Sequence, residues 1–240
     1  KADTMEKVIQ NQEDLLLLLD QLLEEEKPID WDKFYSDRDR KVPFFVNDPD
    51  ENLVTSFQNN QISPGKVLEL GCGNGRNAIY LAEKGFEIDA VDSSKEALAW
   101  AKEEARKNQV SINFIEENLF KLSLSTHTYD IVYDSGCFHH IAPHRRMSYI
   151  ALLKKALKSG GTFMLTCFIE DGVLGGSSLS DLEVYQKRSL QGGLGFTEEK
   201  LKTIFQDFEA IEIKKMKQVD ASDGMFGVEG LWVARFRLRG

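Results

Sequence analysis

An α/β fold built on a doubly wound, mostly parallel sheet is predicted from three observations. From Lys66 to Phe168, short apolar runs alternate with longer runs of helical periodicity. A bend with glycines at alternate positions, Gly71, Gly73 and Gly75, joins the first strand to its helix. Two further apolar runs follow the last helix and close the sheet as an antiparallel pair. Strands that alternate with helices need crossover connections, which put helices on both faces of the sheet.

Taken in order, residues 3–26 read as an N-terminal helical extension. Val8, Gln12, Leu15, Leu19 and Leu22 are spaced by four and three, with Ile9, Leu16 and Leu23 beside them. Leu17 and Leu18 widen the apolar surface, so something must cover it: the chain's own domain, or a second copy in a homodimer. Pro28 ends the helix, because proline disfavours helix at the residue before it. Residues 28–48 are irregular and rich in aromatic and charged side chains. "DPDENLVTSFQNN" then starts a helix, with Asp48 as N-cap and Pro49 in the first turn. The expected division is therefore 1–48 as an N-terminal helix and lid segment, and 49–240 as the main domain.

Within that domain "KVLEL", "FEIDAV", "VSINFI", "YDIVYD" and "TFMLTCF" are strands. "RNAIYLAEKG" is a helix ended by Gly85. "SSKEALAWAKEEARKN" is another, in which Ser93 and Glu96 have capping-box spacing. "PHRRMSYIALLKKALKSGG" is a third, with Pro143 in its first turn and Gly160 closing it. Residues 170–196 form a long loop, and loops of that length are usually functional, so it is expected to wall a site. "TEEKLKTIF" is the last helix, N-capped by Thr197, and "EAIEIKKM" and "GLWVARFRL" are the closing strands.

Composition narrows the function. A net charge of −9 over 240 residues argues against a general nucleic-acid binder, which needs a basic face. No apolar run approaches the roughly 18 residues of a membrane span, and the charged N-terminal stretch does not read as a signal peptide. Cys72, Cys137 and Cys167 are widely spaced and form no CxxC pair, which suits a cytoplasmic setting with free thiols and no metal site.

The glycine bend carries the functional signal. Ligands of open α/β sheets bind beyond the carboxyl ends of the strands, where the strand order reverses. Glycine there permits φ > 0 and close approach of a ligand to the backbone. One glycine would serve a tight turn; three in alternation suit a Rossmann-like ligand site. Asp92, at the end of the second strand, is placed to accept from ribose hydroxyls, or else to favour a helix N-terminus.

"VLELGCGNGRN", "VDSSKEAL", "FIEENLFKL", "YDIVYDSGCFHHI" and "LLKKALKSGGTFML" together resemble, in order and spacing, the motifs of class I S-adenosylmethionine-dependent methyltransferases. The chain looks most like their small-molecule branch, which includes thiopurine and tellurite methyltransferases. The resemblance implies S-adenosyl-L-methionine as cofactor and assigns its contacts. Glu69 would lie near the methionine amino group, and Gly71, Cys72 and Gly73 would wrap the methionyl and ribose parts. Asp92 would bind the ribose, with Ser93 beside the adenine. Asn118 stands where the family has an aspartate for the adenine amino group, and Leu119 would offer its backbone N–H. Asp134 and Ser135 would stand beside the activated methyl group. The chemistry of the residues agrees: carboxylates suit an ammonium, a ribose and a sulfonium, whereas a pyrophosphate prefers N–H groups.

His139 and His140 are the candidate catalytic bases, needed only if the acceptor carries a proton at the working pH. Otherwise they line a wall and orient the loop. Trp31, Phe34 and Tyr35 are expected to close over the site, with Arg38, Arg40 and Lys41 available to an anionic substrate; the alternative is an arm packed on the sheet edge. The expected function is methyl transfer to a small-molecule acceptor. A non-catalytic S-adenosylmethionine-binding module and an NAD-dependent oxidoreductase are the rival readings.

Overall fold

The computed structural model describes residues 8–24 and 29–240. The ends of the predicted first helix, at 3–7 and 25–26, and its Pro28 stop lie outside the described residues.

A seven-stranded sheet organises the chain. Its strands are β1 (Lys66–Leu70), β2 (Glu87–Asp92), β3 (Asn113–Glu116), β4 (Tyr129–Ser135), β5 (Leu157–Phe168), β6 (Phe208–Lys215) and β7 (Leu231–Leu238). They lie in the order β3-β2-β1-β4-β5-β7-β6. β1 to β5 pair in parallel, and β7 runs antiparallel to both β5 and β6. The order reverses between β1 and β4, and there the carboxyl ends of the strands open a crevice.

Period-two alternation on the central strands feeds a core on each face. Val67, Ile131, Tyr133 and Met164 pack on one side with Leu53, Ala78 and Leu81. Leu68, Leu70, Val132, Phe163 and Leu165 pack on the other with Tyr149, Leu153 and Phe205. The covering helices are α3 (Glu51–Gln58), α4 (Arg76–Glu83), α5 (Lys95–Lys107), α6 (Arg146–Ala156) and α8 (Glu198–Ile204). Before them come α1 (Gln12–Glu24) and α2 (Trp31–Ser36), and α7 (Asp181–Lys187) lies inside the 170–196 loop. Thr197 caps α8 as expected, accepting from Lys200 N–H at 3.1 Å. Among the described residues no helix is long and apolar enough to cross a membrane.

Three local expectations are corrected. Ser94, not Ser93, caps α5, accepting from Ala97 N–H at 3.1 Å, because the Asp92 carboxylate takes Ser94 N–H and draws Ser93 into the preceding turn. Asp50, not Asp48, precedes α3, and its carboxylate faces a buried guanidinium and not the helix amides. The helix before β5 stops at Ala156, well short of Gly160. Leu157 already pairs with Tyr129, the strand bulges, and pairing resumes at Ile131 with Thr162. Gly160, at φ +73°, serves that bulge.

One buried cluster ties the N-terminal part of the domain to the sheet. Asp50 is fully buried and accepts from Arg76 and from the Tyr133 hydroxyl at 2.5 Å each, and from Asn77 at 3.2 Å. Arg76 also donates to the Asp48 carbonyl at 3.2 Å and lies over the Phe226 ring. Removing one partner of such a pair strands a charge in the interior. Asp50→Ala is expected to lower the unfolding free energy by about 3–5 kcal/mol in urea denaturation; a loss well under 1 kcal/mol would show that the pair is not a structural tie.

Candidate functional site

The crevice at the reversal point is a cavity of about 780 Å³, within the usual size for small-molecule sites. Its floor is the glycine bend. Gly71, Gly73 and Gly75 all have positive φ, at +67°, +55° and +79°. A Cβ at Gly73 would stand 2.7 Å from the Tyr35 hydroxyl, so the roof over this bend fits only if residue 73 has no side chain. Asp92 pins the loop, accepting from Gly73 N–H and Ser94 N–H at 2.9 Å each.

Beneath the bend, Glu69 is 2% exposed and lines the cavity. Its Oε1 has no hydrogen-bond partner among the described residues. Burial pushes its carboxyl well above the ordinary range, with nearby Arg76 opposing that shift. Burial likewise raises Asp92. Cys72, Ser93, Asn118 and Leu119 line the same cavity. Asn118 Oδ1 accepts from Phe120 N–H at 2.8 Å, which leaves its Nδ2 and one oxygen lone pair for a ligand.

Residues 29–46 form the roof. Asp32 accepts from the Ser94 hydroxyl at 2.7 Å, clasping α2 to the start of α5. Asn74 Nδ2 donates to the Val46 carbonyl at 2.8 Å. Trp31 meets His140 edge-on at 5.0 Å between ring centroids, and Tyr35 lies in the cavity wall. Phe34 and Arg38 are placed elsewhere. Phe34 packs among Trp31, Tyr35, Phe44 and Phe45, beneath the Arg40 guanidinium. Arg38 points outward, paired with Glu103 at 2.7 Å and lying over Trp100. Lys41 is exposed.

α1 supplies another wall. Asp20 bonds His144 at 2.5 Å and Arg145 at 2.5–3.1 Å, holding the helix against its own chain. The long loop completes the cavity with Leu174 and with Ser189 to Gly192.

Past β4, the chain turns through Gly136 (φ +85°) into a 3₁₀ turn, Phe138–His140. Phe138 is buried among Tyr149, Phe196 and Phe205 and anchors the turn in the core. Asp134 is corrected: it does not face the cavity. Fully buried, it accepts from Cys137 N–H at 2.8 Å, Phe138 N–H at 3.4 Å and the Tyr149 hydroxyl at 2.5 Å, so it braces the turn from behind. Ser135, the next residue, points the other way and lines the cavity.

Both imidazoles line the cavity. His139 Nδ1 accepts from Phe168 N–H at 3.1 Å, and burial holds its pKa well below the ordinary range. Burial lowers His140 to about 4. Burial and the Phe168 amide both weigh against a general-base role near neutral pH.

Comparison with known proteins agrees with this architecture. A family model for the methyltransferase domain matches residues 67–161. An uncharacterized methyltransferase of Schizosaccharomyces pombe is 32% identical over 104 residues, 43% of this chain and 72% of that protein. The chain belongs to the class I S-adenosylmethionine-dependent methyltransferases. A probable S-adenosyl-L-methionine-dependent methyltransferase TehB of Haemophilus influenzae is 26% identical over 151 residues, 63% of this chain and 48% of that one. Among solved structures, one described as the conversion of a disulfide bond into a thioacetal group during echinomycin biosynthesis matches with a TM-score of 0.68. It is 21% identical and covers 87% of this chain and 90% of its own. The methyltransferase uses S-adenosyl-L-methionine, and it shares its fold with that solved structure.

Arg76 and Phe168 are site residues that sequence reasoning missed. A cation in the first turn of α4 opposes the helix dipole, which is itself a signal that an acid partner lies near.

Asp134 yields a test through its proton. Burial raises its pKa from 3.8 to about 7, against hydrogen bonds that lower it. The folded state thus holds this proton more tightly than the unfolded state, a stabilisation that is full below about pH 4 and lost as pH rises through about 7. The stability of the native chain relative to Asp134→Asn is expected to fall between pH 5 and pH 8 in paired urea denaturations. A constant difference would mean that the carboxyl ionises normally.

Proposed function

We propose that the methyltransferase acts on a small molecule whose accepting atom arrives with a free lone pair, so that no proton has to be removed by the enzyme. The observation that carries this reading is the acceptor side of the cavity. It is roofed by residues 29–46 and walled by α1 and the 170–196 loop, and there His139 Nδ1 is already taken by the Phe168 N–H at 3.1 Å while His140 packs edge-on against Trp31.

The residues fit the cofactor. Glu69 is a buried acceptor lacking a partner among the described residues, suited to an ammonium. Asp92 keeps lone pairs beyond those used by Gly73 and Ser94, suited to ribose hydroxyls. The bend at Gly71 to Gly73 brings backbone within reach of a ligand, and Tyr35 covers it. Asn118 and Leu119 stand where the adenine would lie. Bound there, S-adenosylmethionine supplies a methyl group on a positively charged sulfur that leaves as a neutral thioether. The chain's part is to align the acceptor with that methyl and exclude water, which the roof and the aromatic walls Trp31 and Phe168 favour. Residues 29–46 then act as a lid that opens for exchange of cofactor and product.

A soft atom such as sulfur meets this requirement most directly, and the thioacetal-forming structural relative also works on sulfur. The test is S-adenosylhomocysteine formation with matched thiol, selenol, amine and alcohol acceptors. Thiols and selenols are expected to turn over faster than alcohols of the same shape by at least about 10²-fold, the lower range of what a missing general base costs. Preferential methylation of alcohols would overturn the proposal.

A further inference from the structure

We propose that His139, held with its proton on Nε2, is a fixed hydrogen-bond donor to the methyl acceptor, and that the acceptor class is one presenting an anionic or lone-pair atom to that proton. The identity of the bound molecule rests on the methyl-transfer reading above; the state of the imidazole does not.

The argument starts from Phe168. A backbone amide can only donate, so His139 Nδ1, which receives it at 3.1 Å, carries no proton. A neutral imidazole with a bare Nδ1 must be protonated on Nε2. The ring cannot turn over to exchange the two edges cheaply. It lies flat on the Phe168 ring, 3.6 Å between centroids and 3° between planes. Gly193 lies against this pair: a Cβ there would stand 2.7 Å from the Phe168 ring and 3.5 Å from His139 Cδ2. The backbone is held as well. Leu194 N–H donates to the His139 carbonyl at 2.8 Å, and Asp134 secures the two preceding amides.

The surroundings keep the ring neutral. His140 is the titratable group that faces it, 4.5 Å away between centroids, and a second proton on either imidazole disfavours one on the other. Asp134, on the same turn, is directed at backbone amides and Tyr149, so it offers the imidazole no counter-charge.

What remains is Nε2. It has no hydrogen-bond partner among the described residues, and it lies beside Gly136, where a Cβ would be 3.9 Å away. That is the β4–β5 side of the cavity, next to Ser135 and Thr166. Glu69, in β1, and Asp92, the last residue of β2, line its opposite side. A donor fixed on the acceptor side favours a thiolate, a selenolate, or an oxyanion or carbonyl next to the reacting atom. It disfavours an ammonium, whose own N–H groups would face it.

The test begins with the full chain, uniformly ¹⁵N-labelled, at pH 7. Long-range ¹H–¹⁵N spectra, assigned by comparison with His139→Gln, are expected to show His139 protonated on Nε2 and bare on Nδ1. Adding S-adenosylhomocysteine with 4-nitrothiophenolate is expected to move the Nε2 proton downfield. A proton on Nδ1, a doubly protonated ring, or no movement of that resonance would overturn the proposal. Kinetically, with S-adenosylmethionine and 4-nitrothiophenolate, His139→Phe is expected to raise the acceptor KM about tenfold or more. Most of the loss falls on KM, not kcat, and Gln, which keeps a donor, recovers much of it. A loss of 10²–10⁴ in kcat for both variants would mark a base and overturn the proposal. Absence of turnover with every acceptor would defeat the methyl-transfer reading, while the tautomer spectrum would still decide the state of His139.

Discussion

The site depends on a shortage of positive charge in the interior. Asp50 and Glu69 are both buried near one guanidinium, Arg76, and Arg76 is committed to Asp50 and to the Asp48 carbonyl. Glu69 is left with an oxygen that nothing among the described residues satisfies. An unpaired buried carboxylate costs several kcal/mol and normally neutralises or finds a partner. On the proposed reading, that partner is the ammonium of the cofactor. The same cluster joins α3, α4 and β4, so the arrangement that leaves Glu69 short of a cation also holds the domain together.

A second constraint is geometric. The strap 29–46 lies so close over the bend that residue 73 has no room for a side chain. Closure therefore rests on Gly73, on the Asp32–Ser94 clasp, and on an aromatic cluster that buries the strap's inner face. The polar and aromatic contacts divide the work. The carboxylates gather below the bend, and the rings of Trp31 and Phe168 close the acceptor side around the imidazoles. Stabilisation by position and exclusion of water suits a displacement at carbon, in which alignment is the main need.

The alternation of strands and helices, the parallel sheet and the antiparallel closing pair were legible, because periodicity and connection order depend on local sequence. So was the bend with its flanking Glu69 and Asp92, since the glycines and acids stand at the strand ends themselves. Asp134 was not. Alternation says that Asp134 and Ser135 face opposite ways, and which of them meets the cavity depends on Tyr149, which lies on α6. The chemistry of His139 was hidden for the same reason: its tautomer is set by the amide of Phe168, twenty-nine positions along the chain. Arg38 reads as a substrate-binding cation until α5 brings Glu103 beside it. Residues whose roles are fixed by partners distant in sequence are the ones that patterns misplace.

Glu69→Gln tests the central claim most directly, with calorimetric titration of S-adenosylmethionine and thermal unfolding of the unliganded chain measured side by side. If the buried carboxylate awaits the ligand's ammonium, the variant should bind at least about tenfold more weakly, as expected for a lost charged hydrogen bond. It should also unfold at the same or a higher temperature, because an amide is cheaper to bury than an unpaired carboxylate. Unchanged affinity would contradict the account, whatever the unfolding temperature.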